Sequence, residues 1–171
     1  FTYISPFSDF DITSDGGCNN TQGDKDLEIR VLDALGNASG IVTKTITYDT
    51  EDPEGIDDDD ITASNVGNNS LSIAWNESDD GDEGSGIDVY KVYRGADSTF
   101  GNAALKETTS DNEYDDSGLS TCTKYYYWII AIDEAGNESN DGTAFDIETS
   151  GCSTSTTTST GIGGGGGGGG G

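Results

Sequence analysis

Carboxylates are the one reactive side chain this sequence holds in quantity. Its 171 residues contain 33 Asp or Glu against 7 Lys or Arg and no His, for a net charge of −26. Without His, Ser-His-Asp and Cys-His nucleophiles are excluded, and so is His-ligated zinc. Clustered carboxylates still permit two kinds of chemistry. A pair held ~5–10 Å apart across a cleft can cleave glycosidic bonds. A tighter group binds hard cations through oxygen, which favours Ca²⁺ over transition metals. The acids are unevenly spread: seven fall in residues 51–60 (EDPEGIDDDD) and six in 77–88. Asp57, Asp58, Asp59, Asp60, Asp79, Asp80, Asp82, Asp88 and, farther along, Asp133 are the candidate metal ligands, with Glu83 and Glu134 beside them. The stretch DDGDEGSGID does not have the twelve-residue ligand register of an EF-hand. A solvated acidic surface suited to high salt explains the same residues, so both readings stand. With acids this abundant their proximity has little specificity for catalysis, and the sequence predicts a chain that is not an enzyme.

The charge also excludes ordinary binding to nucleic acid or to anionic membranes, since both need a cationic face. No stretch reaches the ~18–20 consecutive apolar residues of a membrane-spanning helix, so no direct membrane insertion is expected of this segment. Three cysteines, Cys18, Cys122 and Cys152, leave one odd. Glycosylation sequons begin at Asn19, Asn37, Asn68, Asn76 and Asn137. Asn37 and Asn137 fall in Gly-Asn turns where a structural role competes with a glycan. Asn19, Asn68 and Asn76 are therefore the glycan candidates.

The elements that must position these groups are strands. Short apolar runs separated by Gly, Asn and Asp predict strands at 1–4, 9–12, 27–33, 41–48, 71–75, 87–94, 104–108, 125–132 and 143–148, with no helical stripe. Strict alternation is clearest in Leu27, Ile29, Val31 and in Leu71, Ile73, Trp75. The hydrophobic content of 31% lies below the usual ~45–50%, a figure that also counts Gly. A core is therefore expected in only part of the chain. Residues 51–60 carry too little apolar surface to order themselves and predict an acidic linker. Residues 153–160 form a Ser/Thr tract of the kind found in extended stalks, and 163–171 are all glycine. Polyglycine reads as a flexible spacer, or as extended strands packed against partners. A weak repeat joins residues 27–50 to 125–149, each with a strand ending in the Asp of D-x-x-G-N-x-S and a second strand running back. Two related units follow, the first represented by its closing strands alone.

Residues 61–152 resemble a fibronectin type III domain. The resemblance is carried by Trp75 in LSIAW, Tyr90 and Val92 in YKVYR, and the corner Leu119-x-x-x-Thr123-x-Tyr125, followed by Tyr127, Ile129 and Ala131. Cys122 stands where a small turn residue is common, and the corner has no Pro. The hairpin at 27–50 resembles the last two strands of Ig-like repeats in prokaryotic surface proteins and adhesins. The implied fold class is all-β: tandem Ig-like and fibronectin type III β-sandwiches with a disordered or extended Ser/Thr- and Gly-rich tail. The implied domains are a partial sandwich at 1–50, a linker at 51–60, a complete sandwich at 61–152 and a tail at 153–171.

That topology implies more about the sites. It brings the loop holding Cys122 to the same pole as the end of the last strand, which makes a Cys122–Cys152 disulfide geometrically sensible and an oxidising compartment its corollary. It also gathers the acidic segments at the opposite pole, where Ca²⁺ would stiffen the angle between units. Tyr93, Trp128 and Ile130 have outward parity and are expected to form an exposed apolar strip for a sugar, a neighbouring subunit or an adjoining domain. The function expected from all this is a structural or adhesive segment of an extracellular, cell-surface stalk or filament. Its partners would be neighbouring subunits or domains, with the first sandwich completed either by a neighbour's strands, as in donor-strand polymers, or by strands of the same chain. The alternative is an accessory or carbohydrate-binding module of a secreted polysaccharide-degrading enzyme, with glycans as partners.

Overall fold

A computed structural model describes residues 21–153. The strands expected at 1–4 and 9–12, Cys18, Asn19, the polyglycine run and nearly all of the Ser/Thr tract lie outside the described residues.

Nine strands follow one another: β1 (Gly23–Ile29), β2 (Val42–Tyr48), β3 (Ile61–Ser64), β4 (Ser70–Trp75), β5 (Ile87–Gly95), β6 (Ala104–Thr109), β7 (Glu113–Ser117), β8 (Lys124–Asp133) and β9 (Phe145–Glu148). β1 and β2 pair as an antiparallel hairpin, with Gly23 opposite Tyr48 and Ile29 opposite Val42. The rest form two antiparallel sheets, in the orders β3-β4-β7 and β6-β5-β8-β9. The chain is all-β, and alternation explains why. Leu71, Ile73 and Trp75 point to one side of β4, and Tyr127, Ile129 and Ala131 to one side of β8. Facing inward with Tyr90, Val92, Ile61 and Leu119, they form one core between the sheets. Trp75 meets Tyr90 edge-on, with ring centroids 5.5 Å apart.

β3 and β7 have no counterpart among the expected strands. β7 reads EYDDS and β3 ITAS, too polar and too short to show a period. They become strands because β4 offers both of its edges to be paired. β1 also starts earlier and stops sooner than its apolar run suggests, since Asp24, Lys25 and Asp26 pair in the ladder while Val31 and Leu32 do not.

Residues 51–60, expected to be an unordered linker, pack as part of the second sandwich. Ile56 is 3% exposed and belongs to the core, Pro53 is buried, and Asp58–Asp60 form a 3-10 turn. One apolar residue is enough to anchor the stretch once the Glu54 N–H also reaches the Asp79 carbonyl at 2.8 Å.

The sequence repeat is a structural repeat. Asp33 accepts from the N–H of Asn37 at 2.9 Å and from its side-chain amide at 2.8 Å. Asp133, one hundred positions further on, accepts the same two bonds from Asn137 at 2.8 and 2.7 Å. The Ser39 hydroxyl accepts from the Val31 N–H, and the Ser139 hydroxyl from the Ala131 N–H. Gly36 and Gly136 adopt φ of 86° and 94°, which a β-carbon would strain. The surroundings differ. Tyr127, Ile129 and Ala131 are 0% exposed, whereas Ile29 and Val31 at the matching positions of the hairpin are 49% and 69% exposed. The hairpin has the face of a sandwich strand pair with no second sheet against it among the described residues.

Candidate functional site

The acidic pole lies where the hairpin meets the sandwich. Asp49 follows β2, Asp80 lies in the loop after β4, and Asp133 ends β8. Their carboxylates converge, each offering an oxygen within 4.8 Å of the other two. Asp49 is 8% and Asp133 1% exposed. Asp49 Oδ1 accepts from the Gln22 amide at 2.9 Å, and its Oδ2 accepts from the Ser85 N–H at 2.8 Å, tying hairpin to sandwich. Asp80 Oδ2 accepts from the Gly86 N–H at 2.7 Å. Burial pushes the Asp80 carboxyl above its ordinary value, the Gly86 bond opposes this, and the charges of Asp49 and Asp133 add to it. Burial acts on Asp49 in the same direction, but its hydrogen bonds from Ser85, Glu51 and Gln22 outweigh it and hold the carboxyl below the usual range. Gly23 touches the Glu83 side chain, a second contact between the two units.

Of the nine acids singled out in the sequence, the structure brings Asp80 and Asp133 together and puts the other seven elsewhere. Asp57 Oδ1 accepts from the Thr143 N–H at 3.0 Å, and the Asp58 N–H donates to the Thr143 hydroxyl at 3.0 Å. Asp59 is exposed, and Asp60 accepts from the Asn76 amide at 2.9 Å. Asp79 caps the Gly81 N–H at 2.8 Å, and Asp82 and Asp88 are exposed. The third member, Asp49, was missed because it precedes the acidic run and follows an ordinary strand. The repeat gives no signal for it either, since the matching position in the second copy is Thr149.

The expected outer strip is corrected by the structure. Trp128 is 2% and Ile130 4% exposed, and Tyr93 is half-buried. The connection from β5 to β6 lays Phe100 across Tyr93 and Trp128, its ring centroid 5.1 Å from the first and 5.8 Å from the second. Beside them, Lys91, opposite Ile130 in the ladder, reaches Glu138 at 2.7 Å. Parity identified the face correctly, but not the loop that covers it.

At the far pole Cys122 and Cys152 are disulfide-bonded, thirty residues apart in sequence. The Tyr125 hydroxyl accepts from the Ser120 N–H at 2.9 Å, closing the corner. Asn68 is exposed; Asn76 is exposed but its amide is engaged by Asp60. Asn19 lies outside the described residues.

A second charged cluster escaped the sequence reading. Asp116 on β7 is 4% exposed. Arg94 on β5 grips it through both oxygens at 2.8 and 2.6 Å, and the Tyr127 hydroxyl donates to it at 2.7 Å. The Arg94 guanidinium also lies over the Tyr125 ring, 5.2 Å from its centroid. The acid cluster can hold a cation, and the Arg94–Asp116 cluster cross-links the two sheets.

Comparison with known proteins agrees with this fold. A family model described as the fibronectin type III domain matches residues 53–145, beginning upstream of the expected boundary and taking in Pro53 and Ile56. The chain is similar to Exoglucanase B of Cellulomonas fimi, 36% identical over 132 residues that make up 74% of this chain and 11% of the relative. It is similar also to Chitinase Chi52 of Paenibacillus xylanexedens, 33% identical over 94 residues, 55% of this chain and 16% of the relative. The chain thus spans a small fraction of the curated relatives it matches. A solved human structure, the sixth domain of a fibronectin type III domain containing protein, overlays 62% of this chain and 93% of its own with a TM-score of 0.50 at 17% identity, a likeness of fold alone.

Proposed function

The chain belongs to the fibronectin type III domain family, and from that premise we propose that it is a non-catalytic accessory module of a secreted polysaccharide-degrading enzyme. The observation that carries this reading is the similarity to an exoglucanase and a chitinase at 36% and 33% identity. The surface chemistry supports a spacer over a glycan-gripping platform. Flat aromatic faces are what a sugar stacks on, and here Trp128 is interior while Tyr93 and Phe100 are engaged with each other. A disulfide and a strongly acidic surface suit an extracellular setting. Exchange of the matching segment tests this. With this chain in place of the segment in the exoglucanase relative, activity on insoluble cellulose should equal the parent's, and activity on soluble substrate should not change. A Gly/Ser linker of equal length that performs as well would remove the module's specific role. Retention of the isolated chain on cellulose or chitin would reinstate the carbohydrate-binding reading.

One observation favours a second reading, the structural segment of a surface filament. The hairpin exposes Ile29 and its ladder partner Val42, with Val31 two residues on, at 49%, 61% and 69%, apolar surface of the kind that a neighbour's strands would cover. Concentration-dependent assembly in light scattering, abolished by Ile29→Lys, would favour the filament. A monomer at all concentrations would favour the spacer.

A further inference from the structure

The convergence of Asp49, Asp80 and Asp133 leaves one atom unexplained. Every other carboxylate oxygen of the trio that is buried has a hydrogen-bond donor among the described residues. Asp80 Oδ1 exposes less than 1 Å² and has none. Native proteins rarely leave a buried acceptor without a partner, because the lost hydration is not recovered. The two neighbours that face Asp80 are themselves anionic, so a cation is the one group that would satisfy all three carboxylates together. The cations of the Lys91–Glu138, Arg94–Asp116 and Lys124–Asp146 ion pairs are engaged elsewhere.

We propose that Asp49, Asp80 and Asp133 form a Ca²⁺ site that clamps the β1–β2 hairpin to the sandwich. Three observations point to this cation. The donors are all hard oxygens, with neither imidazole nor thiolate among them. Two oxygens bound to one Ca²⁺ at ~2.4 Å lie at most ~4.8 Å apart, a spacing that no pair in the trio exceeds. The ligands come from three separate segments, which suits the adaptable six- to eight-fold shell of Ca²⁺ more than the compact octahedron of Mg²⁺. Carbonyls and water complete the shell. Because Asp49 belongs to the hairpin while Asp80 and Asp133 belong to the sandwich, binding energy becomes stiffness at the junction.

The test is calorimetric titration of the full 171-residue chain, stripped with EGTA, with CaCl₂ and separately with MgCl₂ at physiological ionic strength. We expect saturable one-to-one Ca²⁺ binding, a melting temperature several degrees higher in Ca²⁺ than in EGTA, and at least tenfold weaker Mg²⁺ binding. Asp80→Asn should weaken Ca²⁺ at least tenfold while melting in EGTA no lower than the parent, because the unpartnered buried charge is gone. That second readout separates loss of ligand from loss of fold. Asp59→Asn, exposed and outside the trio, should leave binding unchanged. No heat and no melting shift at about 5 mM Ca²⁺ would overturn the site, as would unaltered binding by Asp80→Asn. Equal responses to Mg²⁺ and Ca²⁺ would overturn the assignment to calcium.

Discussion

The Tyr127 hydroxyl crosses from one sheet to donate to Asp116 on the other at 2.7 Å, and Arg94 grips the same carboxylate. A buried anion is tolerated between two sheets only where every oxygen is met, and here a cation and a phenol do this together. Replacing Arg94 by Met should therefore cost about 3 kcal/mol, the low end for stripping a buried charge of its partner because Arg94 keeps some solvent contact. Tyr127→Phe should cost about 1.5–3 kcal/mol, one hydrogen bond to a charged acceptor. Urea denaturation measures both, and the double change Arg94→Met with Asp116→Leu should be milder than Arg94→Met alone.

The same pair predicts an alkaline limit. Burial first, and then the bond and charge of Asp116, push the Tyr127 phenol far above its ordinary value of 10.0. Its proton is held more tightly folded than unfolded, so its contribution is complete below pH 10, declines steadily above it, and is lost only as pH rises through the higher folded value. Melting temperature should fall above pH 10 more steeply in the parent than in Tyr127→Phe.

The repeat allows a matched comparison. Ile129→Ala empties a 0% exposed position and should cost about 3–4 kcal/mol. Ile29→Ala, at the same place in the hairpin but 49% exposed, should stay within about 0.5 kcal/mol in the monomer. A large loss at Ile29 would show that its face is covered in solution.

Ile56 probes where the sandwich begins. Buried at 3% within the acidic stretch, it should cost about 2–4 kcal/mol on truncation to Ala. A neutral result would return residues 51–60 to the role of a linker.

Much of this was legible from alternation. β4, β5 and β8 carry their inward residues at period two, and with Leu119 and Tyr125 they located the sandwich and its corner. What could not be read was set by partners distant in sequence. β7 is a strand because β4 pairs with it, although EYDDS has no β character of its own. Trp128 is interior because Phe100 lies on it, and nothing at either position announces the other. Asp80 and Asp133 were singled out among nine acids for their pole, but Asp49 came from the other unit. Composition reveals an excess of charge, and only the fold reveals which charges meet.

The Cys122–Cys152 bond closes a loop of thirty residues. By the chain-entropy estimate, its reduction or the paired change to Ala should cost about 3–4 kcal/mol, measured by denaturation with and without reductant.

That bond also decides how the domain behaves as a tether. Tension applied beyond residue 153 and along the hairpin enters the sandwich at Cys152, and the sulfur bridge hands it directly to Cys122. β8 and β9 lie wholly inside the closed loop, so neither can be peeled away by the pull. If the remaining strands give way, the length released is shorter by about 100 Å, the contour of the thirty shielded residues. Under load the domain acts as a spring with a hard stop, set by two sulfur atoms at the pole opposite the acids.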